Sequence, residues 1–360
     1  MENLIYSIGA AVIGLGLLIV FHEFGHFLLA KLSGVGVLTF SVGFGPKIWV
    51  IKRGETEYAI SAFPLGGYVK MVGEDPDEQV SPENVEKSFA HKSLSKRIAI
   101  VAAGPVFNLL LAVLLLMVVF TFYGVPVMST QVSGVEQGSP AELAGIQKGD
   151  RIVAIDGVPT DQWEELSSTI KGSGGKPLNL QVRRGEETIN ITVQPTQKEG
   201  KTIFGERKDD WIIGIGSQVT MEKGKPGLSV VRAFYQTYEY CKITLLAFYK
   251  MILGDVSPRN IGGPILIAQM AGQQAQEGLG SFLAFLAVLS INLGVLNLLP
   301  VPVLDGGHLL FFLVEAVIRK PVAIKYREMA QQVGICLLAL LMVYAFYNDI
   351  VRFFEKQVGG

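Results

Sequence analysis

The sequence predicts a polytopic α-helical membrane protein with about four transmembrane helices, a membrane-associated β-sheet and one soluble domain on the extracytoplasmic side. Three observations carry that expectation. Of the 360 residues 49% are hydrophobic, and the mean hydropathy is +0.40, too apolar for an ordinary soluble chain. Apolar runs long enough to cross a bilayer recur along the chain. Between the first two runs, and again between the second and third, the pattern changes to the alternation of β-strands. The net charge of -1 and the lack of a basic block argue against nucleic acid as a partner. Cys241 and Cys336 lie far apart, build neither a disulfide framework nor a C-x-x-C site, and read as small apolar packing residues.

Residues 1–35 hold the first span, an apolar helix over 4–32 closed by Lys31, Gly34 and Gly36. It begins with Glu2, not with a basic region. It also runs past any small-residue cleavage site, so it reads as a retained span and not as a signal peptide. Its inner end carries His22-Glu23-Phe24-Gly25-His26. On a helix, residues four apart share a face, so His22 and His26 are placed to grip one zinc ion. Glu23, beside them, is placed to take a proton from a water at the metal. H-E-x-x-H alone arises by chance, but ionisable groups are costly in a membrane helix and mark function there.

Residues 36–97 form a short sheet and a cytoplasmic loop. Strands are expected over 37–41, 48–51, 58–62 and 68–72, with turns at 43–46, 53–55 and 63–67. Gly66 and Gly67 in the last turn are near-site candidates. Irregular backbone at membrane depth must be buried in protein or line a wet cavity, so the sheet is expected to face the site. A free edge there suits an unwound substrate added as a strand; a plain cytoplasmic hairpin is the alternative. Residues 74–97 are a charged, solvated connector.

The second span covers 98–124 and contains Gly104-Pro105-Val106-Phe107-Asn108. Asn108 reads either as a helix–helix hydrogen-bonding amide or as a substrate contact. Residues 125–200 are soluble in character. The series Gly138-Ser-Pro-Ala141, Ala144-Gly-Ile146, Gly149-Asp150, Ile152 and Ile155-Asp-Gly157 closely resembles a bacterial PDZ domain. That resemblance implies a groove for a peptide or substrate terminus between the strand near 127–132 and the helix near 163–170; an empty groove in a bulky gate is the other reading. Residues 201–280 are a polar linker followed by an aromatic, amphipathic segment over 227–254, which suits a membrane-surface helix and carries too many charges for a comfortable span.

The third span, 281–318, is broken by Asn297-Leu-Leu-Pro300-Val-Pro302-Val-Leu-Asp305-Gly-Gly307. Broken helices line sites, and a carboxylate at the break is costly unless it is paired or metal-bound. Asp305 is thus the natural third ligand beside His22 and His26; His308, three residues on, reads either as a further ligand or, the favoured reading, as a capping or supporting residue. A basic loop over 319–332 and a fourth span over 333–350 complete the chain. The basic loops, Lys31–Arg97 and Arg319–Arg327, are expected on the cytoplasmic side, which puts the 125–200 domain outside and brings both ligand groups to the cytoplasmic half.

H-E-x-x-H in the first span, G-P-x-x-N in the second, the PDZ-like domain, and N-x-x-P-x-P-x-L-D-G in the third together resemble the bacterial site-2 proteases, which are zinc intramembrane metalloproteases. The resemblance covers nearly the whole chain. It implies Zn2+ held by His22, His26 and Asp305, Glu23 as catalytic acid/base, Asn297 and Asn108 as near-site residues, and multi-pass residence in the bacterial inner membrane. It implies single-span membrane substrates, anti-sigma factors or remnant signal peptides, cut after their external domain is removed. Several relatives carry two PDZ domains in tandem, and only one is found here, so substrate filtering is expected to differ. The alternative is a non-catalytic PDZ-bearing membrane scaffold with a structural zinc. Closed structural sites use four protein ligands, whereas three plus an acid/base are found. A transporter is disfavoured because no paired repeats are detected.

Overall fold

The computed structural model describes residues 2–74, 81–201 and 207–358. Asp75, Asp77 and Glu78 of the charged connector lie outside the described residues. The chain opens with helix α1 (Glu2–Leu32), strands β1 (Val37–Arg53) and β2 (Thr56–Met71), and helix α2 (Leu94–Val118), which runs into a wider π-type turn over Val119–Tyr123. Then come β3 (Val125–Val135), the short α3 (Pro140–Leu143), β4 (Arg151–Ile155), β5 (Val158–Pro159) and α4 (Trp163–Gly172). Strands β6 (Leu178–Arg184), β7 (Glu187–Val193), β8 (Thr196–Lys201), β9 (Arg207–Ile212) and β10 (Ile215–Glu222) follow. Five helices end the chain: α5 (Pro226–Leu253), α6 (Pro264–Glu277), α7 (Leu279–Leu298), α8 (Asp305–Ile318) and α9 (Ile324–Val358). Contacts divide these into a helical unit (Met1–Val119, Pro226–Tyr249, Ser257–Gly360) and a sheet unit (Phe120–Lys225, Lys250–Val256).

Among the described residues, four helices are long and apolar enough to cross a membrane: Ile5–Leu32, Leu94–Tyr123, Leu279–Leu298 and Ile324–Glu355. In the helical unit α1 packs on α2 and α6, and α2 on α7 and α8. Small residues sit where the helices cross. A side chain at Gly25 would strike the Ala103 carbonyl, and one at Gly294 would lie 3.0 Å from the Pro105 carbonyl oxygen. With no hydrophobic drive between helices in lipid, close backbone approach is what such helices have to gain. The third span is two helices, α7 and α8, parted at 299–304. The fourth begins earlier than expected. Part of the loop assigned to 319–332 is helix, because after Pro321 the run Lys325-Tyr-Arg-Glu-Met-Ala-Gln-Gln332 is rich in good helix formers. Near its far end α9 places Asp349, a buried carboxylate that accepts from the backbone N–H of Gly263 (2.9 Å), Ile265 (3.0 Å) and Leu266 (3.1 Å). Those are the orphan donors at the start of α6.

β1 and β2 form one hairpin, and both strands bend back on themselves. The 37–42 arm pairs with 67–71 on one side and with 57–60 on the other, while 47–53 pairs with 56–61. The turns expected at 43–46 and 63–67 are therefore bends within continuous strands. The near arms pack Val37, Val69 and Met71 against Ala30 of α1 and Ile100 of α2. The far arm leaves Ile48 and Trp49 exposed.

The sheet unit has strand order β10-β3-β4-β6-β7, with β5 paired to β4, and β8 and β9 form a separate ribbon. Its core joins Val132, Ile152, Leu166, Leu180, Val182 and Ile213. The boundary drawn at 200 from sequence leaves out β10, which pairs with β3 along its length. Asp150 is buried and takes two hydrogen bonds at 2.8 Å from Arg184, whose guanidinium holds its carboxyl below the usual range.

Candidate metal centre

Three side chains from two distant stretches converge. His22 and His26 lie one turn apart on α1, and Asp305 is the first residue of α8, where a carboxylate is favoured by the helix dipole. His22 Nε2 is 3.2 Å from His26 Nε2 and 3.1 Å from Asp305 Oδ2; His26 Nε2 is 3.5 Å from Asp305 Oδ1. Two ligands on a tetrahedral zinc, each at about 2.0–2.1 Å, stand roughly 3.3–3.4 Å apart. The observed spacings bracket that edge, so the donor set fits zinc. The protonation pattern fits too. His26 Nδ1 lies 2.8 Å from the Ile100 carbonyl oxygen, which can only accept, so the ring's proton is on Nδ1 and the Nε2 lone pair faces the other ligands.

Helix α2 walls the site. A side chain at Gly104 would lie 2.8 Å from His22 Nε2 and closer still to His26 Nε2, so only glycine fits there. Asn108 Nδ2 stands 3.1 Å from His22 Nδ1, and its buried carboxamide oxygen has no hydrogen-bond partner. The two ends of the carboxamide exchange by a half turn. With Nε2 given to a metal, Nδ1 carries the proton and the Asn108 oxygen is its acceptor. Ser290 Oγ of α7 donates to the Asn108 backbone carbonyl at 2.7 Å and steadies that turn.

Glu23 projects toward the hairpin. A side chain at Gly67 would lie 2.8 Å from Glu23 Cγ, so β2 passes close to the carboxylate-bearing side chain because residue 67 is bare. Gly66, at φ 147°, is instead crowded by the Phe44 ring. Asn297 sits half-buried on the last turn of α7, and among the described residues the hydrogen-bonded set around the histidines contains Asn108 and not Asn297. His308 lies one turn into α8, outside the three-residue cluster. Gly104, the Ile100 carbonyl and Ser290 were not singled out as site residues. Gly104 was open to detection as a small residue on a helix that must approach α1.

The sheet unit holds a groove of about 300 Å³, lined by Trp163, Ser167 and Ile170 of α4 and by residues 211–216. A groove is expected between the strand near 127–132 and the helix near 163–170; the helix wall lies there, while the strand wall is formed by 211–216. β3 is covered by β10 on one side and β4 on the other, so the open edge belongs to β10.

The sequence pattern of peptidase family M50 matches residues 10–341. A zinc metalloprotease of Rhizobium meliloti (strain 1021) is 37% identical, with 97% of this chain and 98% of that protein covered. Protease RseP of Yersinia pestis and the regulator of sigma-E protease RseP of Salmonella typhimurium (strain 14028s / SGSC 2262) are each 31% identical, with 98% of this chain and 100% of theirs covered. The Yersinia alignment runs over 455 positions and the Rhizobium one over 366, against 360 residues here, so the Yersinia relative is the longer by roughly a hundred residues. This chain belongs to peptidase family M50 and is a zinc metalloendopeptidase on a multi-pass membrane framework.

Proposed function

We propose that the enzyme cuts peptide bonds within the transmembrane segments of single-span membrane proteins, with His22, His26 and Asp305 holding the zinc and Glu23 moving the proton. The observation that carries this reading is the convergence of the three ligand atoms at tetrahedral spacing, from elements nearly three hundred residues apart, on helices apolar enough to span a bilayer. Bound there, zinc supplies Lewis acidity toward the scissile carbonyl and toward a water. Glu23 takes the water's proton and returns it to the leaving amine. His26 is fixed by Ile100 and His22 by Asn108, so neither ring turns during the reaction.

A transmembrane helix hides its own peptide bonds and must unwind first. The outer edge of the 67–71 arm, which runs past Glu23 at Gly67, suits strand addition by the unwound stretch. Anti-sigma factors and remnant signal peptides are the substrate classes this reading favours, and the RseP name of two relatives supports it. The basic loops favour the bacterial inner membrane with the metal centre in the cytoplasmic half. The sheet unit reads as a single extracytoplasmic PDZ domain. Its groove beside the open β10 edge suits a chain terminus, and its bulk suits the exclusion of uncut substrates.

The test is cleavage of a reconstituted single-span substrate by wild type and Glu23→Gln, with zinc assayed on both. Cleavage lost with zinc retained is the expected result; equal cleavage by both removes Glu23 from the mechanism.

A further inference from the structure

We propose that Arg97 and Glu315 are a positioning pair that sets Asp305 against the two histidines. The proposal rests on the ligand set above and adds what holds its third member in place. Arg97 Nη2 donates to Glu315 Oε1 at 2.5 Å and Nη1 to Oε2 at 3.3 Å, and both side chains are only 13% exposed. Each charge sits at the wrong end of its own helix. Arg97 lies in the first turn of α2, where the dipole disfavours a cation, and Glu315 in the last turn of α8, where it disfavours an anion. Neither residue helps the helix that carries it, and both side chains are largely withdrawn from solvent, where an unpaired charge is costly. Their benefit lies in each other, across the α2–α8 contact.

That contact bears directly on the metal centre. Arg97 is three residues from Ile100, whose carbonyl fixes His26, and α2 also carries Asn108 against His22. Glu315 and Asp305 stand near opposite ends of α8, about 15 Å apart at 1.5 Å per residue. α8 is a short rigid lever. Its ligand end enters from the irregular 299–304 segment, and its far end is tied to α2 by the bidentate pair. Arg97 also lies over the buried Phe312 ring at 5.0 Å, so the pair is wedged in place. From α9, Arg327 also reaches this place, 5.8 Å from the Phe311 ring and 5.9 Å from that of Phe312. Loss of Glu315 would leave the largely buried Arg97 without its partner while Arg327, partly buried, still lies near the same ring, and α8 would tilt to relieve them.

The test uses the full chain in detergent and measures zinc affinity by chelator competition for Arg97→Glu, Glu315→Arg and the double exchange, with thermal melts at saturating zinc. Each single reversal is expected to weaken zinc binding about tenfold or more, as lost ligand support does. The double exchange restores opposite charges, now at the ends each dipole favours, and is expected to return affinity toward wild type. A pair that merely braced the fold would move the melts and leave zinc affinity alone, and that result overturns the proposal. So does a folded double variant with affinity still impaired, even where the single variants fail to fold. His22→Phe is the control. If it holds zinc like wild type, the ligand set falls and the pair's role with it; if it loses zinc while Glu315→Arg keeps full affinity, only the pair is refuted.

Discussion

In the sheet unit large apolar side chains are fully buried: Ile152, Leu166, Leu180 and Val182. In the helical unit close approaches are made at Gly25, Gly104 and Gly294 and the amides of Asn108 and Asn348 are buried, while Ile13, Leu114, Leu340 and Val343 point outward. The same leucines thus do opposite work. In water, burying them drives the fold. In lipid they merely match the solvent, and small residues, hydrogen bonds and ion pairs decide which helices meet. A metal centre made of polar groups belongs in the second kind of interior, where polar groups already set the packing.

The largest expected effect separates the two interiors outright. Stripping zinc with a chelator is expected to abolish proteolysis and lower the melting transition of the helical unit, since the ion binds only the folded site. The sheet unit contains Trp163 and Trp211, and its fluorescence transition is expected to stay where it was. A shared shift would break the comparison. Next comes a substitution by volume. Gly104→Ala is expected to weaken zinc about tenfold or more by pressing on both histidines, an effect read by chelator competition. Then follows one chemical change in two settings. Leu166→Ala, in the sheet core, is expected to cost about 3 kcal/mol in denaturant unfolding followed by tryptophan fluorescence. Leu114→Ala, 47% exposed on α2, is expected to cost about 0.5 kcal/mol or less. Equal costs would mean that Leu114 faces protein.

The smallest effect is one of pH and belongs to the sheet unit. Arg184 lowers the Asp150 pKa in the folded state. The carboxylate therefore contributes stability that is fully present above its unfolded value, near 4, and is lost as pH falls through the lower folded value. Asp150→Asn is expected to cost about 1–2 kcal/mol at pH 7 and to flatten the acid limb of a stability profile below about pH 5. An unchanged acid limb would assign it to other carboxylates.

Much of this was open to reading from the residues. The spans declare themselves because lipid asks for apolar side chains on every face. His22 and His26 are legible from helical spacing, and Asp305 from the prolines and glycines around it. What stayed hidden depends on tertiary approach. Nothing local tells that residues 37–42 have strands on both sides, that Gly104 touches two imidazoles, or that the groove borders β10. The start of α9 was hidden for a different reason. Its charges mark a membrane boundary, and a helix does not have to end where the membrane does.

Asp349 ties that last helix to the order of manufacture. A ribosome completes α6 long before it reaches residue 349, so for that interval the N–H groups of Gly263, Ile265 and Leu266 lack the acceptor that later satisfies them. The α6 end can seat finally only once α9 has been made and inserted. A nascent chain halted before Asp349 already contains His22, His26 and Asp305, yet it lacks this clasp. The start of α6 therefore gains its carboxylate cap only when the last turns of α9 are in place.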